Sequence, residues 1–305
     1  MRKFNKFTAM LAVGAVALTG CAASDPLAED GGGGDDESAA TGAITVGSAD
    51  FLESQVLAKI YSIALQDAGL EVEERLGIGS REVYMLALED GSIDVVPEYI
   101  GALLRYIDPE STETEYDDVL AALDESMPEG IVHLDPSEAA NSNTLSVTAD
   151  TAEEYGLETF SDVTEHASEW SIGGPPEWEQ RQNGILGLQD IYGMEFKQFV
   201  ALDAGGPLSV TALQNGQVEV ANLFTTNPVF GEGELVYLED DQQLFAVENV
   251  TPVATESKLT DEAIAVLNEI SAALTTDHLI EMNEQGDAGV PLEQIAQEWI
   301  DANLG

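Results

Sequence analysis

Cysteine is nearly missing from this chain. Cys21 is the only one among 305 residues, so no intramolecular disulfide can form. Basic residues are scarce too: ten Lys and Arg face 58 Asp and Glu, a formal net charge of -48, and three of the ten (Arg2, Lys3 and Lys6) stand at the extreme N-terminus. Such a surface repels a phosphate backbone, so no nucleic-acid partner is expected. The acidity reads either as attraction of cationic ligands or as solvation of a protein exposed to high salt, where a short Debye length damps self-repulsion. Catalytic furniture is missing as well. His133, His166 and His278 are scattered without metal-ligand spacing, no phosphate loop occurs, and "GSADF" and "GSREV" lack the flanking glycines of a nucleophile elbow. The sequence therefore leads to no expectation of an enzyme, a metal or a cofactor.

Long apolar runs are lacking beyond the first 20 residues. That segment has a basic head, an apolar stretch too short for a stable membrane anchor, and small residues before a cysteine, the order of an export signal. "LTGC" resembles a lipobox, at which cleavage leaves Cys21 as the lipid-modified first residue of the mature protein. Residues 21–43 carry glycine, acid and small side chains with almost nothing to bury, which suits a flexible tether. The expected place is the outer face of the cell membrane, held through lipid on Cys21.

The whole chain is 44% hydrophobic over 305 residues, enough for about two domains. "AITVGSADF" offers a buried strand and a small-residue loop, followed by a helix from Glu53 to Ala68 that Gly69 can stop. Ser80 can cap a helix running through Leu88, and Gly91 ends it before a strand at 93–96. The alternation restarts near residue 145, with strands in "WSIGG" and "FKQFVAL", a helix near 208–214 and a strand at 218–221. Three helices close the chain from Thr260, broken near Thr276 and Gly289. The fold class read from this order is α/β: two lobes of alternating strands and helices, followed by a helical tail.

An internal echo supports two similar lobes. "LEDGSIDVVPEYIG" and "LQNGQVEVANLF" place Gly91 against Gly216, Ile93 against Val218, Val95 against Val220 and Tyr99 against Phe224. Ligands in open α/β sheets lie beyond the carboxyl ends of the strands, and Phe51, Tyr99 and Phe224 each fall at such an end. Core packing is the ordinary fate of any single aromatic; three at strand ends point to one cleft.

Several segments resemble the substrate-binding lipoproteins of osmoprotectant ABC importers, which bind glycine betaine, choline and related quaternary amines: "VGSADFLES", "GSIDVVPEYIG", "PPEWEQRQNGILGLQDIYG", "LFTTN", "YLEDD" and "ENVTPV", in the family order from about Ile44 onward. The resemblance implies a two-lobed, periplasmic-binding-protein-like clamp (type II), each lobe a mixed sheet flanked by helices, hinged by two crossings near "ANSNT" and "NVTPV". Lobe 1 would comprise 44–142 plus 251–305, and lobe 2 143–250. It also implies a monomer that delivers its ligand to a membrane permease with its ATPase.

By the same resemblance Tyr99 is a cage wall, Arg181 the grip on a ligand carboxylate, and Phe224 keeps a family tyrosine's face without the hydroxyl. Three positions depart: Ala49 stands for a lysine, Glu248 for a cage tyrosine, and Asn143 with Thr144 for an aromatic near the first crossing. Glu248 could meet a cationic amine directly, pair with Arg181, or simply be solvated. Trp178 reads as a cleft wall or as a plug on the lobe surface. The same clamp taking an amino acid or a polyamine, and a surface adhesin without a small ligand, stay open as alternatives.

Overall fold

The computed structural model describes residues 42–304. The expected export signal, Cys21 and all but the last two residues of the expected tether lie outside the described residues.

Two five-stranded sheets organise the chain. The first contains β1 (Ile44–Gly47), β2 (Val72–Arg75), β3 (Val95–Tyr99), β4 (Ile131–His133) and β10 (Val250–Thr255), in the order β2-β1-β3-β10-β4. The second contains β5 (Asn143–Thr148), β6 (Ser171–Gly174), β7 (Gln198–Ala201), β8 (Val220–Phe224) and β9 (Leu235–Tyr237), in the order β7-β6-β8-β5-β9. Pairing follows one plan in both. β1 is parallel to β2 and β3 while β10 is antiparallel to β3 and β4; β6 is parallel to β7 and β8 while β5 is antiparallel to β8 and β9. β3 and β8 are thus the corresponding middle strands, and they are the two segments that echo in the sequence.

Helices cover both faces of each sheet. On the first, α1 (Leu52–Asp67), α10 (Asp261–Ala273), α11 (Thr276–Asp287) and α12 (Leu292–Asn303) build one apolar layer around Leu57, Ile60, Leu267 and Trp299. Its other face packs α2 (Arg81–Glu89), α3 (Ile100–Ile107) and α4 (Tyr116–Ser126) around Met85, Leu103 and Leu123. α1 is buried on nearly every side, Glu53 and Ser62 included, as befits a helix in the middle of a layer. The second sheet carries α5 (Ala149–Tyr155), α6 (Phe160–Val163) and α7 (Ile185–Tyr192) on one face, and α8 (Pro207–Gln214) and α9 (Val229–Glu232) on the other.

The middle strands start two residues later than the sequence pattern suggests. The N–H groups of Ser92 and Ile93 both bond the carbonyl of Ala87, and those of Gln217 and Val218 the carbonyl of Ala212. Left-handed Gly91 (φ 74°) and Gly216 (φ 65°) make these helix-ending turns possible. The strands therefore run to Tyr99 and Phe224 themselves. Ser80 occupies the N-cap position of α2, but its hydroxyl bonds the Glu82 carboxylate at 2.6 Å instead of a backbone N–H.

Two connections join the sheets side by side. Ala140 bridges Asn249, the N–H of Asn141 bonds the carbonyl of Glu248 at 3.0 Å, and that of Val250 bonds Ala139 at 2.9 Å. Most of "NVTPV", expected as a crossing, already belongs to β10, where Val250 pairs with Tyr99; its alternating β-branched residues favour a strand.

Candidate functional site

Carboxyl ends of strands from both sheets meet at one cleft. Phe51 follows β1 and holds the N-cap position of α1, Tyr99 closes β3, and Phe224 closes β8. Phe51 meets Phe224 across the sheets at 5.5 Å and its own sheet's Tyr99 at 6.2 Å, centroid to centroid, tilted by 39° and 32°. Gly205 (φ 67°) presses against the Phe224 ring, where a Cβ would come within 2.7 Å of it.

The cleft has two chambers. An inner one of about 70 Å³ is lined by all seven residues singled out in the sequence: Phe51, Tyr99, Asn143, Trp178, Arg181, Phe224 and Glu248. An outer one of about 270 Å³ shares Phe51 and Phe224 with it.

The polar groups of the inner residues are fixed by partners that the sequence did not announce. The Tyr99 hydroxyl donates to Glu53 Oε1 at 2.6 Å. Glu53 is 3% exposed and also accepts from Asn141 Nδ2 (2.7 Å), Thr226 Oγ1 (2.6 Å) and Asn283 Nδ2 (2.7 Å). A buried carboxylate is tolerated only with such a set of donors. Burial first, then the charge of Glu53, pushes the Tyr99 phenol well above its usual range, so the hydroxyl stays a donor.

Two guanidinium groups line the inner chamber, and both already hold a carboxylate. Arg81 Nε and Nη2 bond Glu98 at 2.8 and 2.9 Å, and Glu98 also accepts from the Tyr84 hydroxyl and the Tyr99 N–H. Arg181, at the end of a 3-10 turn over residues 176–180, gives Nε and Nη2 to Glu82 of α2 at 2.9 and 2.8 Å. That pair joins the two lobes. Burial alone would raise Glu82, yet the hydrogen bonds from Arg181 and Ser80 hold it down at about 2.

Glu248 does not pair with Arg181. Its carboxylate, 2% exposed, accepts from the N–H of Ala102 at 2.9 Å, at the start of α3. Gly101 makes room for it, since a Cβ there would lie 2.5 Å from the carbonyl of Val247 and 3.3 Å from Glu248 Cδ. Burial pushes Glu248 up to about 8, against the opposing pull of the Ala102 N–H and Arg81. It is neither solvated nor ion-paired; it is a buried acid that touches the chamber.

Trp178 is a wall of the chamber and a core residue at once. It is 1% exposed and packed in the second lobe. Its indole N–H bonds the Asn183 carbonyl at 2.7 Å, and it lies where side chains on Gly174 or Gly184 would clash. Asn143 accepts from Asn222 Nδ2 at 3.1 Å, while the buried Asn222 Oδ1 has no partner among the described residues. Sequence reasoning missed Arg81, Glu53, Asn141 and Asn222. Arg81 carried a signal, as one of seven basic residues after the first 20, and Glu53 stands in the "ADFLES" segment.

A family model described as the substrate binding domain of the ABC-type glycine betaine transport system matches residues 42–302. The carnitine transport binding protein OpuCC of Listeria monocytogenes is 28% identical over 268 residues, covering 85% of this chain and 86% of the relative. The glycine-betaine-binding protein of Pseudomonas aeruginosa is 30% identical over 224 residues, 69% and 70% of the two chains. Among solved structures, one of a glycine betaine/carnitine/choline ABC transporter protein aligns with a TM-score of 0.67 at 23% identity, over 85% of this chain and 98% of the other. A choline-binding protein in complex with choline aligns at 0.63 with 16% identity, over 85% and 87%.

Proposed function

Because this chain belongs to the OpuAC family, the substrate-binding domains of ABC-type glycine betaine transport systems, we propose that its cleft captures a small quaternary amine and hands it to a membrane permease driven by an ATPase. Family membership makes it an extracytoplasmic solute-binding protein of an ABC importer. The ligand, the residues that hold it and the anchor are our reading.

One observation carries the ligand class: Phe51 of one lobe and Phe224 of the other meet at 5.5 Å, with Tyr99 beside them. A quaternary ammonium has no N–H to donate. It is held by the negative faces of aromatic rings, each contact contributing roughly 0.5–2 kcal/mol as water is excluded. Rings from both lobes reward the ligand most in the shut form, so binding shifts the population toward closure.

The polar groups refine the choice. Glu82 and Glu98 occupy one edge of each guanidinium, so the positive head of the ligand is the main recognised group. Arg181 keeps Nη1 for a ligand oxygen. Asn222 Oδ1 lacks a donor, and a ligand hydroxyl, as on choline or carnitine, supplies one. Phe51, Tyr99, Phe224 and Trp178 then form the wall, Arg181, Asn143 and Glu248 the polar lining. The mature protein is a monomer tethered through lipid on Cys21.

Calorimetric titration in molar sodium chloride tests this with glycine betaine, choline, carnitine and ectoine. One-to-one binding of the quaternary amines is expected, with choline tighter than glycine betaine. Heat from none of them, or from ectoine alone, overturns the reading.

A further inference from the structure

The outer chamber has chemistry that the aromatic wall does not explain. Its lining includes Asp50, Glu177 and Asp287 and contains no Lys, Arg or His. Three carboxylates on its wall are engaged: Glu53 holds the four donors described above, Asp203 caps α8 through the N–H groups of Leu208 (3.0 Å) and Ser209 (2.9 Å), and Glu177, which with Asp50 also lines the inner chamber, lies 3.8 Å from Arg181 Nη2. Asp287, an exposed residue at the chamber mouth, makes no hydrogen bond and no ion pair among the described residues, and partial desolvation raises its pKa.

A separate observation points the same way. Asn283 stands one turn before Asp287 on α11, lines the chamber and is 7% exposed. Its Nδ2 serves Glu53 and Thr226, which fixes the orientation of the amide, and its Oδ1 has no partner. An unpaired buried acceptor is uncommon in native proteins and is satisfied by a donor. Trimethylammonium cannot be that donor, since it carries no N–H. A primary ammonium or a guanidinium can, and the surrounding carboxylates favour its charge.

Both chambers share the Phe51 and Phe224 rings, so one molecule can reach both. We propose that the outer chamber is a second cationic subsite for an N–H-bearing cation, and that the preferred ligand is a dication: an aminoalkyl quaternary ammonium or a polyamine whose far end reaches Asn283 and Asp287. This rests on the inner chamber taking a quaternary or alkylated amine.

The test compares two probes on the mature chain in molar salt: butyltrimethylammonium and (4-aminobutyl)trimethylammonium, with shorter spacers as a series. The amino tail is expected to tighten binding by about tenfold or more at its best spacer length, one decade in Kd. In Asp287→Asn the amino-to-alkyl affinity ratio is expected to fall toward one. No advantage of the amino tail at any spacer in the wild type, or an undiminished ratio in the variant, overturns the second subsite while leaving the quaternary amine reading intact. Failure of both probes and of choline to bind sinks the two together.

Discussion

Arg181 in the second lobe and Glu82 in the first form a two-pronged pair, Nε to Oε1 at 2.9 Å and Nη2 to Oε2 at 2.8 Å, which ties the lobes together. Both side chains keep some solvent contact, at 21% and 42% exposure. The pair is therefore worth roughly 0.2–1 kcal/mol, the range of exposed ion pairs. Glu82→Gln is expected to shift the unliganded protein toward the open form, by up to about fivefold in population, seen as a larger radius of gyration in X-ray scattering. In the wild type the pair persists across the neutral range. Glu82 is depressed to about 2, so the contribution exists above the ordinary carboxylate range and is lost as the pH falls through about 2.

Glu53 collects hydroxyl and amide donors from Tyr99, Asn141, Thr226 and Asn283. Glu53→Ala leaves these donors unpaired in a buried place, at about 1–3 kcal/mol for each that water cannot reach. Severe destabilisation in urea is expected. Tyr99→Phe should cost about 1–3 kcal/mol of stability while keeping quaternary amine binding, whereas Tyr99→Ala should weaken that binding as well. Equal affinity in Tyr99→Ala and wild type would remove Tyr99 from the site.

Glu248 gives a pH signature. Its folded value of about 8 exceeds the unperturbed glutamate value of about 4.3. The folded protein thus keeps a proton that the unfolded chain releases, and stability falls as pH rises through that window. A bound cation favours the ionised form, so quaternary amine affinity should rise from pH 6 toward 8, with proton release, and level off above. The charged neighbours Arg81 and Glu98 are locked to each other. Calorimetry in buffers of different ionisation heat measures the proton count, and Glu248→Gln should abolish it. A pH-independent affinity in the wild type would separate Glu248 from the ligand.

Salt should stabilise the fold. With a net charge of -48, self-repulsion acts over about 30 Å at 0.01 M salt and about 3 Å at 1 M. The melting temperature is expected to climb with sodium chloride across that range. A flat profile would mean that the acidic surface is no adaptation to salt.

Much of the cleft was legible in the sequence because strand ends are marked locally. Gly91 and Gly216 punctuate helices, and the aromatics that follow fall where ligands bind in such sheets. The alternation also located the three closing helices, observed as Asp261–Ala273, Thr276–Asp287 and Leu292–Asn303. What escaped is non-local. Nothing near Glu248 in sequence shows that it meets the start of α3, 146 residues away, or that Glu53 will hold Asn283, 230 residues away. The pairing of Arg181 with Glu82 was hidden by the number of acids available: where carboxylates are everywhere, the chosen one is settled only by packing.

The most direct test of the central claim is to titrate choline and its uncharged carbon isostere, 3,3-dimethylbutan-1-ol, into the same protein. The two have nearly the same shape and differ in charge. Three ring contacts of roughly 0.5–2 kcal/mol each lead to choline binding tighter by about tenfold to ten-thousandfold, with the gap narrowed in Phe51→Ala and Phe224→Ala. Equal affinity for the two, or a gap indifferent to both phenylalanines, would contradict capture of a cation between the lobes.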